Sequence, residues 1–306
     1  MTDAHKNELV KQYIDTEIND SILNLTVQEI IYLYSVVLTR LKQSNEEDQK
    51  IKKDRDLVFR AIILRIMRSE NLYIAYHVVT GYPYIDVRGN SWIFSEQGFA
   101  EEAKKHYAMC GIPLDIKILD GNDIIRELFD LNRLGIEKLI VDNGQFSTVV
   151  YRSDLLREEE LPEQPERQTP QLMFSILTMK ELAYASNGRN ENIPEMEKEI
   201  FKLISSSEFL VPVKIDRHLK DGEAVCVNDT TSMQIAVFNN PQTKESLVPV
   251  FSDWTEFIKT YSKDEWNAVV MSYKMLEDAA SSCNGFVINP SGATFLVTDA
   301  IKALIK

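Results

Sequence analysis

The stretch Gly285-Phe286-Val287-Ile288-Asn289-Pro290-Ser291-Gly292 decides the fold. Its first half is aromatic and β-branched, as strands are, and its second half is turn chemistry. Asn and Gly tolerate positive φ, and Pro fixes φ, so the chain must reverse here and return through Thr294–Val297. A related stretch, Ile140-Val141-Asp142-Asn143-Gly144, occurs earlier and returns through Phe146–Tyr151.

Other strings recur in the same order. Thr26-Val27-Gln28 answers Thr169-Pro170-Gln171, and Ser69-Glu70-Asn71-Leu72-Tyr73-Ile74 answers Ser207-Glu208-Phe209-Leu210-Val211-Pro212. Trp92-Ile93-Phe94-Ser95, with a helix ending at Tyr107, answers Val248-Pro249-Val250-Phe251-Ser252, with a helix ending at Tyr261. Matched points lie between about 138 and 157 residues apart. The sequence therefore predicts an α+β protein of two similar domains, each a mixed β-sheet flanked by helices, written by internal duplication. The alternative is two unrelated α+β domains that share common turn chemistry. Residues 1–157 hold N-terminal helices and a diverged first domain, and residues 169–306 hold the second. Between them, residues 158–168 are rich in Glu and Pro, a composition that favours an extended acidic linker.

Element signals fill in this frame. Thr26 and Glu29 form a capping-box pattern before Ile30, Leu33, Tyr34, Val37 and Leu41 at helical spacing. A helix through Leu57–Met67 is apolar on more than one face and is expected to be sandwiched. Strands are expected at Leu72–Val79, Tyr84–Val87, Ser91–Phe94, Leu114–Leu119 and Leu139–Val141. Ser95 and Asp120–Asp123 read as helix caps. In the second half, Thr169 and Pro170 open a helix, and strands are expected at Phe209–Ile215, Ala224–Val227, Gln234–Phe238, Leu247–Phe251 and Asn267–Met271. A helix at Asp299–Ile305 closes the chain.

Composition bounds the function. Of 306 residues, 34 are Lys or Arg and 47 are Asp or Glu, a net charge of −13. Residues 1–167 carry −8 and residues 168–306 carry −5, so both halves are acidic. That sign repels phosphate backbones and anionic lipid, so no nucleic-acid or membrane partner is expected. Cys110, Cys226 and Cys283 are far apart, which argues against a disulfide framework and fits a reducing, cytoplasmic setting. Met1–Lys6 leads into a polar segment without the apolar core of a secretory signal. Ala279–Thr298, the longest run free of Asp, Glu, Lys and Arg, is broken by Asn284, Gly285, Asn289, Pro290 and Gly292 and is no membrane span.

Signals for chemistry are sparse. His5, His77, His106 and His218 have no second ligand at metal spacing. The eleven glycines form no phosphate-binding motif. Cys283 reads as a small core thiol. No catalytic, cofactor-binding or metal residue is expected. A candidate binding surface is drawn instead from features that recur in both halves: the turns (Asn143; Asn289, Pro290, Gly292) and the aromatics (Trp92; Trp254, Phe257). Each also has a plainer reading, as turn chemistry and as core. Trp254 follows the cap of a helix, where an indole can anchor a peptide.

Three stretches of the second half resemble the SseB N-terminal domain family: Ser207–Val213, Leu247–Trp254 and Gly285–Gly292. The resemblance covers residues 193–306 well. Residues 55–157 look like a diverged copy, in which Asp142-Asn143-Gly144 replaces Asn-Pro and Tyr73-Ile74-Ala75 lacks Val-Pro. The family's names, enhanced serine sensitivity and type III secretion effector delivery regulator, imply a cytosolic bacterial regulatory or interaction role. The expected function is thus non-catalytic protein or peptide binding. The alternatives are an enzyme with a site assembled between the halves, using His77, His106 or Asn289, and a secretion-associated scaffold.

Overall fold

In a computed structural model of the chain, residues 1–44, 48–157, 169–215, 233–239 and 244–298 are described. The expected linker 158–168, strand Ala224–Val227, closing helix Asp299–Ile305, His218 and Cys226 lie outside them. The chain divides into two compact units. One comprises Met1–Asn132 with Ile136–Leu161, and the other comprises Arg133–Gly135 with Pro162–Lys306. Both are mixed α+β.

The first unit opens with α1 (Asp3–Leu9), then α2 (Val27–Gln43) and α3 (Gln49–Met67). Thr26 caps α2 as expected: its hydroxyl accepts from Glu29 N–H, while the Glu29 carboxylate accepts from Thr26 N–H at 2.8 Å. Helix α3 buries Val58, Ala61, Ile62 and Ile66, positions of one face, while Leu57 is exposed. Phe59, Ile63, Leu64 and Met67, on the flanking faces, are partly buried, so the apolar surface of α3 extends beyond that one face as expected.

A five-stranded sheet follows in the order β3-β1-β2-β4-β5. Its strands are β1 (Asn71–His77), β2 (Asn90–Phe94), β3 (Leu114–Asp120), β4 (Lys138–Val141) and β5 (Thr148–Tyr151). Only β2 and β4 run parallel, with Ile93 opposite Val141. Helix α4 (Gln97–Met109) connects β2 to β3, α5 (Gly121–Arg133) connects β3 to β4, and α6 (Arg152–Leu155) follows β5. Ala100 and Ala103 of α4 pack with Trp92, Phe94, Ala75 and Leu114.

Two expectations change here, and one holds. Tyr84–Val87 forms no strand, because the Asp86 carboxylate accepts from Arg88 N–H at 2.8 Å and Asn90 N–H at 3.0 Å and turns the chain. Strand β3 runs straight into α5 at Gly121, and Asp120 caps that helix as expected, its Oδ1 accepting from Asp123 N–H at 3.5 Å. Ser95 does not cap α4, whose N-cap residue is Glu96.

The second unit begins with α7 (Pro170–Ala185) and α8 (Ile193–Ser206). Pro170 opens α7, but Thr169 makes no capping bond with its side chain. The strands are β6 (Glu208–Ile215), β7 (Met233–Ile235), β8 (Phe238–Asn239), β9 (Ser246–Val250), β10 (Asn267–Ser272), β11 (Gly285–Ile288) and β12 (Phe295–Thr298). They form the orders β10-β6-β7 and β12-β11-β9-β8. A two-hydrogen-bond bridge between Leu210 and Phe251, each at 2.9 Å, joins β6 to the residue that follows β9. Strands β9 and β11 are parallel, and β11 and β12 are antiparallel. Helix α9 (Trp254–Ile258) follows β9, and α10 (Tyr273–Ala279) follows β10. Phe209, Phe251, Phe257 and Phe286 are fully buried and fill the core.

Candidate functional site

In the second unit, Asn289 sits at the end of β11 with φ of +47°, a conformation that Asn adopts more readily than most residues. Its N–H donates to Val250 O at 2.9 Å, so the turn is pinned to the end of β9. The Asn289 side chain then reaches the start of α9. Its carbonyl accepts from Ser252 N–H at 3.1 Å, and its amide donates to Ser252 Oγ at 3.0 Å and to Met173 Sδ at 3.2 Å. Ser252 Oγ donates to Asp253 Oδ2 at 2.8 Å, and Asp253 Oδ1 caps α9 by accepting from Glu256 N–H at 3.0 Å. Asp253 and Glu256 are buried carboxylates. Within this same unit, Arg133 Nη1 donates to both, at 3.0 and 3.1 Å, and Lys259 Nζ reaches Glu256 at 2.8 Å.

This network aims α9 and its aromatic side chains. Trp254 lies edge-on to Phe257 with ring centroids 5.1 Å apart, and Phe257 is 5.7 Å from Tyr261. Tyr261 is 4.9 Å from Trp266, and Phe251 closes the cluster from below at 5.2 Å from Phe257. Such geometries gain about 0.5–1.5 kcal/mol each beyond burial. Burial raises the Tyr261 hydroxyl above its usual range. Trp254, Tyr261, Trp266, Ala268 and Val270 are only partly covered, and Ile258 is 55% exposed. Lys263 lies over the Trp254 ring at 4.4 Å and Lys214 over the Trp266 ring at 4.8 Å. Asp264 and Glu265 are exposed on the intervening loop. Ala268 and Val270 belong to β10, which pairs with β6 alone among the described residues. The result is an aromatic shelf beside a strand edge that is open among the described residues.

In the first unit, Asp142 ends β4 with φ of +55°, and its N–H donates to Ile93 O at 2.9 Å. Its carboxylate accepts from Ser95 N–H at 2.6 Å, Ser95 Oγ at 2.7 Å and Gln28 Nε2 at 2.7 Å. Burial raises its pKa above the ordinary Asp value, opposed by these bonds from Ser95 and Gln28. Nearby, Trp92 packs between Tyr84 at 4.7 Å and Tyr107 at 4.3 Å, and its indole N–H donates to Asp86 at 3.3 Å. Asn143 donates to the Tyr107 hydroxyl at 3.3 Å.

Of the residues expected on a binding surface, Trp254, Pro290, Gly292 and Asn143 are partly exposed. Trp92, Phe257 and Asn289 are corrected to the interior, at 3%, 0% and 0% exposure. The two aromatics complete hydrophobic clusters and Asn289 completes a hydrogen-bond network, so none of the three can meet a partner. Trp266, Lys214 and Lys263 went unnoticed in the sequence, and Tyr261, expected to end the helix that begins at Trp254, lies beyond the end of α9 at Ile258; the i, i+3, i+7 spacing of the aromatics at 254, 257 and 261 was the available signal. His5 bonds Glu29 at 2.6 Å, His77 is buried near Tyr84, and His106 lies against Tyr107. They do not converge. Among the described residues no group of three His, Cys, Asp or Glu side chains is placed to hold a metal ion. No described helix is long and apolar enough to cross a membrane.

Residues 183–303 match the family model of the SseB protein N-terminal domain. The match contains all three stretches that carried the resemblance, and the expected family is borne out there. No curated protein and no solved structure matches the chain.

Proposed function

We propose that this chain, whose residues 183–303 form an SseB N-terminal domain, is a non-catalytic cytoplasmic protein that binds a protein or peptide partner through its second unit. One observation carries the reading: partly exposed Trp254, Tyr261 and Trp266 flank β10, whose outer edge is open among the described residues. An extended segment that adds to such an edge gains main-chain hydrogen bonds, and its alternate side chains fall on the shelf. Trp and Tyr are the side chains that most often carry binding energy at interfaces. The lysines over the two indoles favour a fixed ring orientation before any partner arrives. The family name supports a regulatory role linked to secretion.

Internal duplication is part of this proposal. The strand order β3-β1-β2-β4-β5 has a counterpart in β10-β6-β9-β11-β12, taken through the Leu210–Phe251 bridge. Asp142 with Ser95 and Asn289 with Ser252 occupy equivalent places in these two series. In the first unit Trp92 is buried between Tyr84 and Tyr107, which supports placing partner binding in the second.

The test is affinity capture from native cytoplasm by the full chain and by a Trp254→Ala/Trp266→Ala variant, with mass spectrometry of the retained material. A protein held by the wild type and lost with the variant is expected. A small molecule retained in stoichiometric amount by both, with no protein, would move the chain to the enzyme reading.

A further inference from the structure

Helices α7 and α8 of the second unit enclose a cleft of about 360 Å³ that lies apart from the aromatic shelf in its residues and chemistry. Each helix supplies one wall with the same spacing. Helix α7 contributes Phe174, Ser175 and Thr178, and α8 contributes Glu195, Met196 and Glu199, with Asn192 at one end. Spacing of this kind places each set on one helix face. The lining is mainly apolar. Thr178 Oγ1 donates within its own helix, to Phe174 O at 2.8 Å, so that hydroxyl does not call for a polar ligand.

The charge of the rim is asymmetric. Glu195 and Glu199 both line the cleft, and their side chains are 68% and 60% exposed. Lys198 lies 3.4 Å from Glu195, and Lys202 lies 3.0 Å from Glu199. These are solvated i,i+3 pairs, which exchange readily for other cations. The neighbouring stretch 191–202 adds Glu191 and Glu197, leaving four carboxylates against two lysines. No acidic side chain would be welcome there, and a second copy of a chain of net charge −13 is a poor occupant.

We propose that the α7–α8 cleft binds a basic amphipathic peptide segment, with an apolar side chain between Phe174 and Met196 and Lys or Arg side chains on Glu195 and Glu199. The apolar floor supplies burial, and the two carboxylates, one turn apart, set the register of the basic residues.

Fluorescence anisotropy on the full chain tests this, with a labelled peptide of Leu and Lys at helical spacing as the probe. Wild type is expected to bind it, and not the peptides with Glu for Lys or Ala for Leu. Glu195→Lys/Glu199→Lys is expected to weaken binding about tenfold or more, because it reverses the rim. Ser175→Trp, which fills the cleft without altering charge, is expected to weaken it as well. Glu8→Lys/Glu17→Lys, the same charge change at exposed sites of the first unit, is expected to leave it unchanged, as is Trp254→Ala on the shelf. Circular dichroism keeps misfolded variants out of the comparison. Any of three results overturns the proposal: no binding by wild type, equal binding of the Ala-for-Leu peptide, or equal loss in the Glu8→Lys/Glu17→Lys variant. Loss in Trp254→Ala alone would transfer the peptide to the shelf and overturn the cleft equally.

Discussion

Asn289 holds Ser252 through two hydrogen bonds, accepting from its N–H at 3.1 Å and donating to its Oγ at 3.0 Å, with both residues fully buried. The start of α9 therefore depends on a side chain 37 residues away. Asn289→Ala strips both bonds and leaves the buried Ser252 N–H without its acceptor, at a cost of about 1–3 kcal/mol. Asn289→Gly loses the same bonds but relieves the positive φ, and should be about 1 kcal/mol less destabilised than the Ala variant. Urea unfolding followed by the fluorescence of Trp254 and Trp266, in a Trp92→Phe background, measures both. Equal midpoints for the Ala and Gly variants would remove the backbone part of the argument.

Asp142 makes a pH-dependent version of the same contact. Its folded pKa is raised by burial, so the folded protein holds that proton more tightly than the unfolded chain. Its favourable contribution is present at acid pH and is lost as pH rises through the folded pKa. Asp142→Asn removes the titration. Relative to wild type, the variant should therefore gain stability between about pH 4 and pH 7. The trend with pH is the test, since the rearranged Gln28 and Ser95 bonds set a constant offset. Urea midpoints at both pH values that move in parallel would refute it.

His77 acts in the opposite direction. Burial lowers its pKa, so the unfolded chain binds the proton more strongly. Stability is then lost as pH falls through the ordinary His range, with a limiting slope of about 1.4 kcal/mol per pH unit for one proton. His77→Phe keeps a ring beside Tyr84, which is 6.2 Å away, and removes the proton. Thermal melts between about pH 7 and pH 5 should fall less steeply for this variant than for wild type. Identical slopes would show that other groups dominate the window.

What the sequence could and could not reveal follows from the range of each interaction. The Thr26–Glu29 capping box spans three residues, so local chemistry was enough to read it. The strand-to-turn passages at Val141–Gly144 and Ile288–Gly292 were legible for the same reason. The work of Asp142 was not, because its partners Ser95 and Gln28 lie 47 and 114 residues away. Trp92 and Phe257 carry the same signature as exposed aromatics near a strand end and a helix start; only packing against Tyr84, Tyr107 and Phe251 decides their burial. Tyr84–Val87 has strand-like composition, yet Asp86 turns the chain with its own carboxylate. The α7–α8 cleft needs two helices at once, so neither helix betrays it alone.

Three glycines separate backbone strain from lack of room. Gly285 opens β11 with φ of +130°, and a Cβ there would lie only 2.1 Å from Val297 O on the paired strand. Gly144 has φ of +96° but open space around it, and Gly98 lies in α4 with ordinary dihedrals and open space. Gly98→Ala should therefore stabilise the first unit by about 0.5 kcal/mol through helix propensity. Gly144→Ala should cost about 1–2 kcal/mol, the cost of strain alone. Gly285→Ala adds a backbone clash that no rotamer can relieve, and should cost about 3 kcal/mol or more. Because β11 carries the strand that ends in Asn289, this variant should also blunt the fluorescence of Trp254, while Gly144→Ala leaves it intact. Denaturant midpoints in that order, Gly98→Ala above wild type and Gly285→Ala lowest, check the series. A Gly285→Ala protein no less stable than Gly144→Ala would mean that β12 moves aside freely, and the close β11–β12 pairing would then not be what holds the Asn289 turn in place.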